Sequence, residues 1–387
     1  MIPVRYNLRS LMVRRTTSAM TALVVALVVM VLFILSGFIA GIRGTVMQSA
    51  VSGNAIVTSR AANSEPASYV SREQYEIIKS RPQIATDADG TVLVSPEMMT
   101  GFYPAPDNPP AKVGFTFLRG VYPVAYKVHR DMKIVSGRWP AHGASEMMVG
   151  RKLAARYPNL AVGSDMRFGH RVWKIVGIFS DNNSTRESEV WTDLDVLTQD
   201  IRYNAGFAAL HVVLRPGTLE AFQQSLGTDA RLRLDAVPEH EFYARESSFV
   251  DQLRVLGLLV AFILGVGSIF GGMNTMYSAV ARRTAEVGVL RVLGFSRVDV
   301  LTSFVIESAL LGVAGGLAGI ALGLLTAEVT GLASRLMSVG SYIFTFRLTP
   351  GAFVSALIAG ALLGAFGGLL PAWRASRIGL IDSLRAV

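Results

Sequence analysis

One carboxylate inside an apolar run, and a knot of charges just before it, carry the clearest chemical signal in this chain. Glu307 sits in VIESALLG, within a stretch from 300 to 327 that has no other charge. Such a carboxylate needs a cation or an interface within reach, because an isolated charge in hydrocarbon is costly. Upstream, the run TAEVGVLRVLG lies among Arg282, Arg283, Glu286 and Arg291. Arg282 and Glu286 stand at i, i+4, so they can pair or share a polar helix face. Gly288 costs about 1 kcal/mol against alanine in a helix interior, which points to close packing against something. Gly294 offers the stop. On the residues alone two readings stand: a helix that docks on a partner, or a solvated loop whose charges set topology.

Groupings that would do catalysis do not emerge. The chain has no cysteine, which excludes a disulfide framework, a thiol nucleophile and a cysteine-ligated metal. Its five histidines, His129, His142, His170, His211 and His240, show no HExxH or similar metal spacing. No G-x-S-x-G elbow occurs. His211 falls inside a strand candidate and reads as a satisfied structural histidine. No catalytic residue and no metal site is expected, and the region around these histidines reads as an interaction or substrate-handling domain.

The elements that position these residues are mostly membrane spans. Half of the 387 residues are hydrophobic, and the mean hydropathy is +0.41, high for a soluble protein. Four stretches reach the roughly 20 apolar residues that a bilayer requires: 16–42, 255–281, 300–327 and 348–373. The first exceeds a signal-peptide core and has no clear A-x-A site after it, so it reads as an anchor. The net charge of +9 is uneven. Residues 41–253 hold 23 basic and 23 acidic side chains, so the whole excess flanks the spans. Arg5, Arg9, Arg14 and Arg15 precede the first span. Arg282, Arg283, Arg291 and Arg297 lie between the second and third. Arg374, Arg377 and Arg385 follow the fourth. These sets share one side if both termini are cytoplasmic. Nucleic acid would instead call for basic residues clustered on a folded domain, so no nucleic-acid partner is expected.

Four-residue glycine spacing marks three spans: Gly267 and Gly271, then Gly315, Gly319 and Gly323, then Gly360, Gly364 and Gly368. Small residues on one face let helices approach closely, so these predict packing grooves. The segment between the first two spans predicts a mixed α/β domain. Strand candidates are 55–59, 91–95, 114–121, 146–149, 171–179 and 207–214, with VWKIVGIF apolar on both faces and so buried. Helix candidates are 72–79, 151–157 and 219–226. Ser71 with Gln74 predicts a capping box on the first, and Thr218 a cap on the last. The prolines Pro104, Pro106, Pro109 and Pro110 mark a loop between two lobes. The expected fold class is an α-helical membrane protein with four transmembrane helices and a large mixed α/β extracytoplasmic domain inserted between helices 1 and 2.

The stretch NTMYSAVARRTAEVGVLRVLGFSRVDVLTSFVIESALLGVAGGLAG, residues 274–319, resembles the signature of the FtsX/MacB-like permease family of ABC transporters. Arg283, Glu286, Val287, Gly288, Val289, Leu290, Arg291, Leu293 and Gly294 match the loop motif, and Glu307 the internal glutamate of the helix after it. The ending PAWRASRIGLIDSLRAV is similar to the family's, at Pro371, Ala375, Ser376, Arg377, Ile378, Ile381, Ser383, Leu384 and Arg385. The start, with Val4, Leu8, Leu11 and Met12 on one face, resembles the family's amphipathic leading helix. Residues 136–179 look like part of its periplasmic core domain.

The resemblance implies a plan: an amphipathic cytoplasmic helix at 1–15, transmembrane helix 1 at 16–42, and a MacB-like periplasmic core at 43–254. Transmembrane helix 2 at 255–281 and a coupling helix and loop at 282–299 follow. Transmembrane helix 3 at 300–327, a short periplasmic loop at 328–347, transmembrane helix 4 at 348–373 and a cytoplasmic tail at 374–387 complete it. Arg282, Arg283, Glu286, Gly288, Leu290, Arg291 and Gly294 would couple to an ATPase. The sequence has no Walker A motif, so the ATPase, in two copies with its ATP and Mg, is expected on a separate chain, and no cofactor on this one. The other implied partners are a second permease copy or homologue and membrane lipids, and often a periplasmic adaptor and an outer-membrane duct. The implied activity is export, by mechanotransmission at the inner membrane, of a lipid, lipoprotein, peptide or drug-like substrate. The alternatives are force transmission to a periplasmic cell-wall hydrolase, and a membrane-anchored sensor.

Overall fold

The computed structural model describes residues 15–103, 114–203 and 206–377. The leading-helix residues up to Arg14, the four loop prolines and the tail from Ile378 lie outside them. Along the chain, helix α1 (Arg15–Met47) leads to strand β1 (Asn54–Ser59), α2 (Arg72–Lys79), β2 (Val94–Phe102) and β3 (Thr116–Val121). Next come α3 (Ala125–Val128), β4 (Met132–Gly137), β5 (Glu146–Gly150), α4 (Arg151–Arg156), β6 (Asp165–Phe168) and β7 (Arg171–Asp181). Then follow β8 (Val190–Asp193), α5 (Leu194–Asp200), β9 (Ala209–Val213), α6 (Leu219–Thr228), β10 (Leu234–Pro238) and α7 (Glu239–Glu246). The chain continues with α8 (Ser248–Ala281), α9 (Thr284–Val292), α10 (Arg297–Val329), the hairpin β11 (Leu336–Val339) and β12 (Tyr342–Thr345), and α11 (Pro350–Ser376).

Two compact units form. One, the helical unit, holds the chain up to Ala40, Gln252–Arg335 and the chain from Phe346; the other, the outer unit, holds Gly41–Asp251 and Leu336–Thr345. Helices α1, α8, α10 and α11 are long and apolar enough to cross a membrane. The protein is an α-helical membrane protein with four such helices and a mixed α/β domain after the first.

In the outer unit, ten strands make one sheet in the order β10-β1-β9-β2-β3-β8-β5-β7-β4, with β6 beside β7. The unit has two large hydrophobic cores, with smaller clusters around Trp191 and around Ile56. Val57, Ile78, Val94, Phe207, Leu210 and Phe222 centre one large core; Leu118, Met147, Leu153, Trp173, Ile175 and Val190 centre the other. The hairpin contributes Ile343 to the second core. The crossing from one core to the other is the antiparallel pair β2–β3, from Met98↔Gly120 to Phe102↔Thr116, on either side of the proline-rich loop. VWKIVGIF lies in β7, paired with β5, β4 and β6, but it is not buried on both faces as expected: Trp173, Ile175 and Phe179 are buried, whereas Val172 and Lys174 on the other face are exposed. The capping box of Ser71 and Gln74 is present on α2. Two further expectations need correcting. Thr218 does not cap α6; its hydroxyl donates instead to the carbonyls of Arg215 and Gln83, at 2.8 and 3.2 Å. The strand expected at 91–95 starts at Val94 and runs on to Phe102.

In the helical unit, α10 carries two glycine faces. A Cβ at Gly315 or Gly319 would stand 2.8 or 2.5 Å from the carbonyls of Ala22 or Ala26 on α1, and one at Gly323 2.8 Å from the Phe33 ring. The other face, Gly312 and Gly316, meets α11 backbone to backbone. A Cβ at Gly364 would overlap the Ser308 carbonyl, one at Gly360 would stand 2.7 Å from that of Gly312, and one at Gly368 would overlap the Ser308 side chain. Gly267 and Gly271 do not behave this way. Among the described residues nothing lies within 4 Å of a Cβ at Gly267, and only Val24, at 3.8 Å, near one at Gly271. The close glycines of α8 are Gly257, where a Cβ would overlap the Leu35 side chain, and Gly265, where one would stand 3.2 Å from Leu363.

Candidate functional site

Helix α9 is held by its charges. Arg283, at its N-cap, donates from Nε to Glu286 at 2.7 Å and from Nη1 to Glu307 on α10 at 3.0 Å. Its guanidinium also lies 5.4 Å from the centre of the Phe304 ring, within cation–π range. The expected pairing of Arg282 with Glu286 is therefore replaced by Arg283, at i, i+3. Arg282 is exposed, whereas Arg283 is buried. A buried guanidinium with one carboxylate removed would be left undercompensated, so the pair acts as a clamp between α9 and α10. Arg291 ties the other end, donating to the carbonyl of Ser376 at the end of α11 at 3.2 Å. Gly294 takes φ +95° and ends the run, its amide and that of Phe295 closing back on Arg291 and Leu290. Ser296 and Asp299 then form a capping box that restarts the chain as α10.

One face of α9 stays open. Val287 and Gly288 are buried, Val287 in a cluster with Val280, Val300, Phe304 and Ala372. Leu290 is partly buried. Val289, Val292 and Leu293 are 53, 59 and 70 % exposed, and the Glu286 side chain is 56 % exposed beside them. This is an apolar strip with a carboxylate at its edge, on a helix that salt bridges anchor from behind.

The outer unit holds a second ionic node, between its two cores, that sequence spacing did not reveal. Arg119 of β3 donates to Glu189 through Nε and Nη2 at 2.7 and 2.9 Å. Its Nη1 donates to Glu65 and Glu97, each at 2.6 Å. His129 contacts Glu97 at 2.7 Å, and His211 lies among Glu65, Glu97 and Glu239. Burial would push the His211 pKa down, but Glu97 and Glu65 outweigh it and raise it to about 10. His129 is pushed down by burial despite Glu97. Glu97 is held well below the carboxylate range, its burial outweighed by His211, His129 and Arg119. Glu97, His129 and His211 are near enough to share a metal ion, but Arg119 already fills the cation's place beside Glu97. His142 with Asp193 and Asp195 forms another such group, at the surface.

Comparisons place the chain among known proteins. Residues 258–380 match the sequence profile of the FtsX-like permease C-terminal family, and residues 18–228 that of the MacB-like periplasmic core domain. The chain is 26 % identical over 242 residues to an uncharacterized ABC transporter permease of Methanocaldococcus jannaschii, covering 58 % of each. It is 27 % identical over 261 residues to the macrolide export ATP-binding/permease protein MacB of Nitrosomonas europaea, covering 62 % of this chain and 38 % of that one. It is 38 % identical over 131 residues to the pyoverdine export ATP-binding/permease protein PvdT of Pseudomonas syringae, covering 34 % of this chain and 18 % of that one. The chain thus spans well under two thirds of the length of these relatives.

Proposed function

We propose, on the premise that this chain belongs to the FtsX/MacB-like permease family of ABC transporters, that it is the non-enzymatic permease subunit of an ATP-driven exporter. It is an inner-membrane protein, with both termini in the cytoplasm on this proposal and the outer unit in the periplasm. ATP and Mg sit on two copies of a partner ATPase, and a second permease copy or homologue completes the complex. ATP-driven closure of the ATPase moves α9, and the movement passes along the membrane helices to the outer unit. That mechanotransmission moves a lipid, lipoprotein, peptide or drug-like substrate from the membrane or periplasm.

The observation that supports this most is the two-sided build of α9. Its inner side is clamped through Arg283 to Glu307, so force on the helix is passed on and not lost to fraying. Its outer side presents Val289, Val292 and Leu293, which no other described residue covers. Exposed apolar side chains in a group mark an interaction site. The test is Val292→Asp with Leu293→Asp. Both positions are exposed, so the variant is expected in the membrane at normal abundance, with loss of co-purification with the cognate ABC ATPase. Undiminished ATPase binding would sink the docking role of α9.

A further inference from the structure

The outer unit contains a cavity of about 240 Å³ whose chemistry the transport reading leaves unused. Its walls carry three carboxylates, Glu65, Glu189 and Glu246, and three aromatic rings, Phe117, Tyr243 and Tyr342. Arg119 stands at one wall, but it is bonded to Glu65, Glu189 and Glu97 together. Arg119 thus serves three acids, two of which, Glu65 and Glu97, also face His211, and none of its bonds reaches Glu246. Among the described residues Glu246 receives only the Tyr342 hydroxyl, which donates to its Oε1 at 2.9 Å. Burial, and then the charge on Glu65, lift the Glu246 pKa to about 7, the mark of a carboxylate short of a cation.

We infer that this cavity binds the ammonium end of a small organic amine, held by Glu246 and the Tyr342 hydroxyl oxygen and enclosed by the aromatic rings. An ammonium supplies the charge and the N–H donors that the carboxylate lacks. Its carbon substituents lie against ring faces, which attract cations. At roughly 30 Å³ per water, the space equals about eight waters, which suits an amine of several heavy atoms or the amino end of a larger molecule. A bare divalent cation suits it less. Such an ion needs six or more oxygens at about 2.0–2.6 Å, and here two of the three carboxylates already bind Arg119. The two contact residues are informative. Glu246 ends α7, just before α8, and Tyr342 lies in the hairpin that joins α10 to α11. A bound amine would cross-link these two segments, giving the outer unit a ligand-dependent brace where the chain leads into three membrane helices.

The experiment is calorimetric titration of the full-length protein in detergent, without any ATPase, so that its outcome is separate from that of the α9 test. The probes are n-butylamine and tetramethylammonium, with n-butanol and Ca²⁺ as controls. Saturable binding of n-butylamine is expected, with no binding of n-butanol. Glu246→Gln should weaken it by about tenfold or more, and Tyr342→Phe, which keeps the ring packing, by about threefold. Equal binding of n-butanol, undiminished binding by Glu246→Gln or by Tyr342→Phe, Ca²⁺ binding that amines do not displace, or no saturable amine binding would each overturn the proposal. If Glu246→Gln does not fold, Tyr342→Phe decides alone.

Discussion

Arg119 and Arg283 do the same electrostatic job in two different settings. Each guanidinium bridges carboxylates from separate segments. Around Arg119 the side chains are buried, although three of them line the cavity: Arg119 is 2 % exposed, and Glu65, Glu97 and Glu189 are 4, 0 and 7 %. Around Arg283 one partner is closed and the other open, with Glu307 4 % and Glu286 56 % exposed. A network whose side chains are all buried holds its parts together, here the two large cores on either side of β2–β3. A network with one carboxylate in water can exchange that partner at low cost, so another protein can act on it. The contrast separates architecture from coupling more clearly than residue type does.

The largest effect should come from breaking the sealed node. Arg119→Met leaves Glu189 buried without its cation and Glu65 and Glu97 with the charge of His211 alone. Removing one side of a buried charged network costs about 3–5 kcal/mol. The outer unit should lose cooperative melting at the parent's temperature, by scanning calorimetry or near-ultraviolet circular dichroism. A melting point within a degree or two of the parent would mean that water reaches the node, and the contrast with Arg283 would collapse.

Next in size is the proton on His211. Its folded pKa is raised from about 6.5 to about 10 by Glu97 and Glu65. A group with a raised folded pKa contributes stability that is fully present below its unfolded value and is lost as pH rises through the folded one. The outer unit should therefore become less heat-stable between about pH 7 and pH 10.5, and His211→Gln should flatten that slope. Arg119 stays charged throughout, and His129, pushed down by burial, is already neutral. Parallel slopes for parent and variant would remove His211 from the account.

Sequence reading reached the two nodes unequally, for a reason of chain distance. Arg283, Glu286 and Glu307 fall within one contiguous motif, and helical periodicity with four-residue glycine spacing could be read directly. Arg119, Glu65, Glu97, Glu189, His129 and His211 come from β3, the turn before α2, β2, the start of β8, the end of α3, and β9. Only the strand order brings them together, and no local pattern encodes that order. His211 was legible as a strand histidine but not as the centre of a charge cluster. The glycines show the same limit. The stripes of α10 and α11 matched close backbone contacts, but Gly267 and Gly271 did not, because spacing fixes a face without saying what lies opposite it. Gly288 was legible as a packing position. That it is buried in this chain was not legible from its spacing.

The smallest stability effect, and the one that separates the two nodes most sharply, is expected at Glu286. Glu286→Gln keeps the shape and drops the charge. Its side chain is more than half exposed, so the lost pairing should cost only about 0.2–1 kcal/mol, the range for exposed ion pairs. Arg283 keeps Glu307 at 3.0 Å, so the clamp between α9 and α10 survives. What should change is coupling: with the carboxylate beside Val289 gone, stimulation of the partner ATPase by the permease should fall while melting temperature and membrane abundance hold. The paired measurement is ATPase stimulation against thermal stability in one reconstituted preparation. Should Glu286→Gln instead melt as early as Arg119→Met, the open node would be as structural as the sealed one, and exposure would have no bearing on which charges a partner uses.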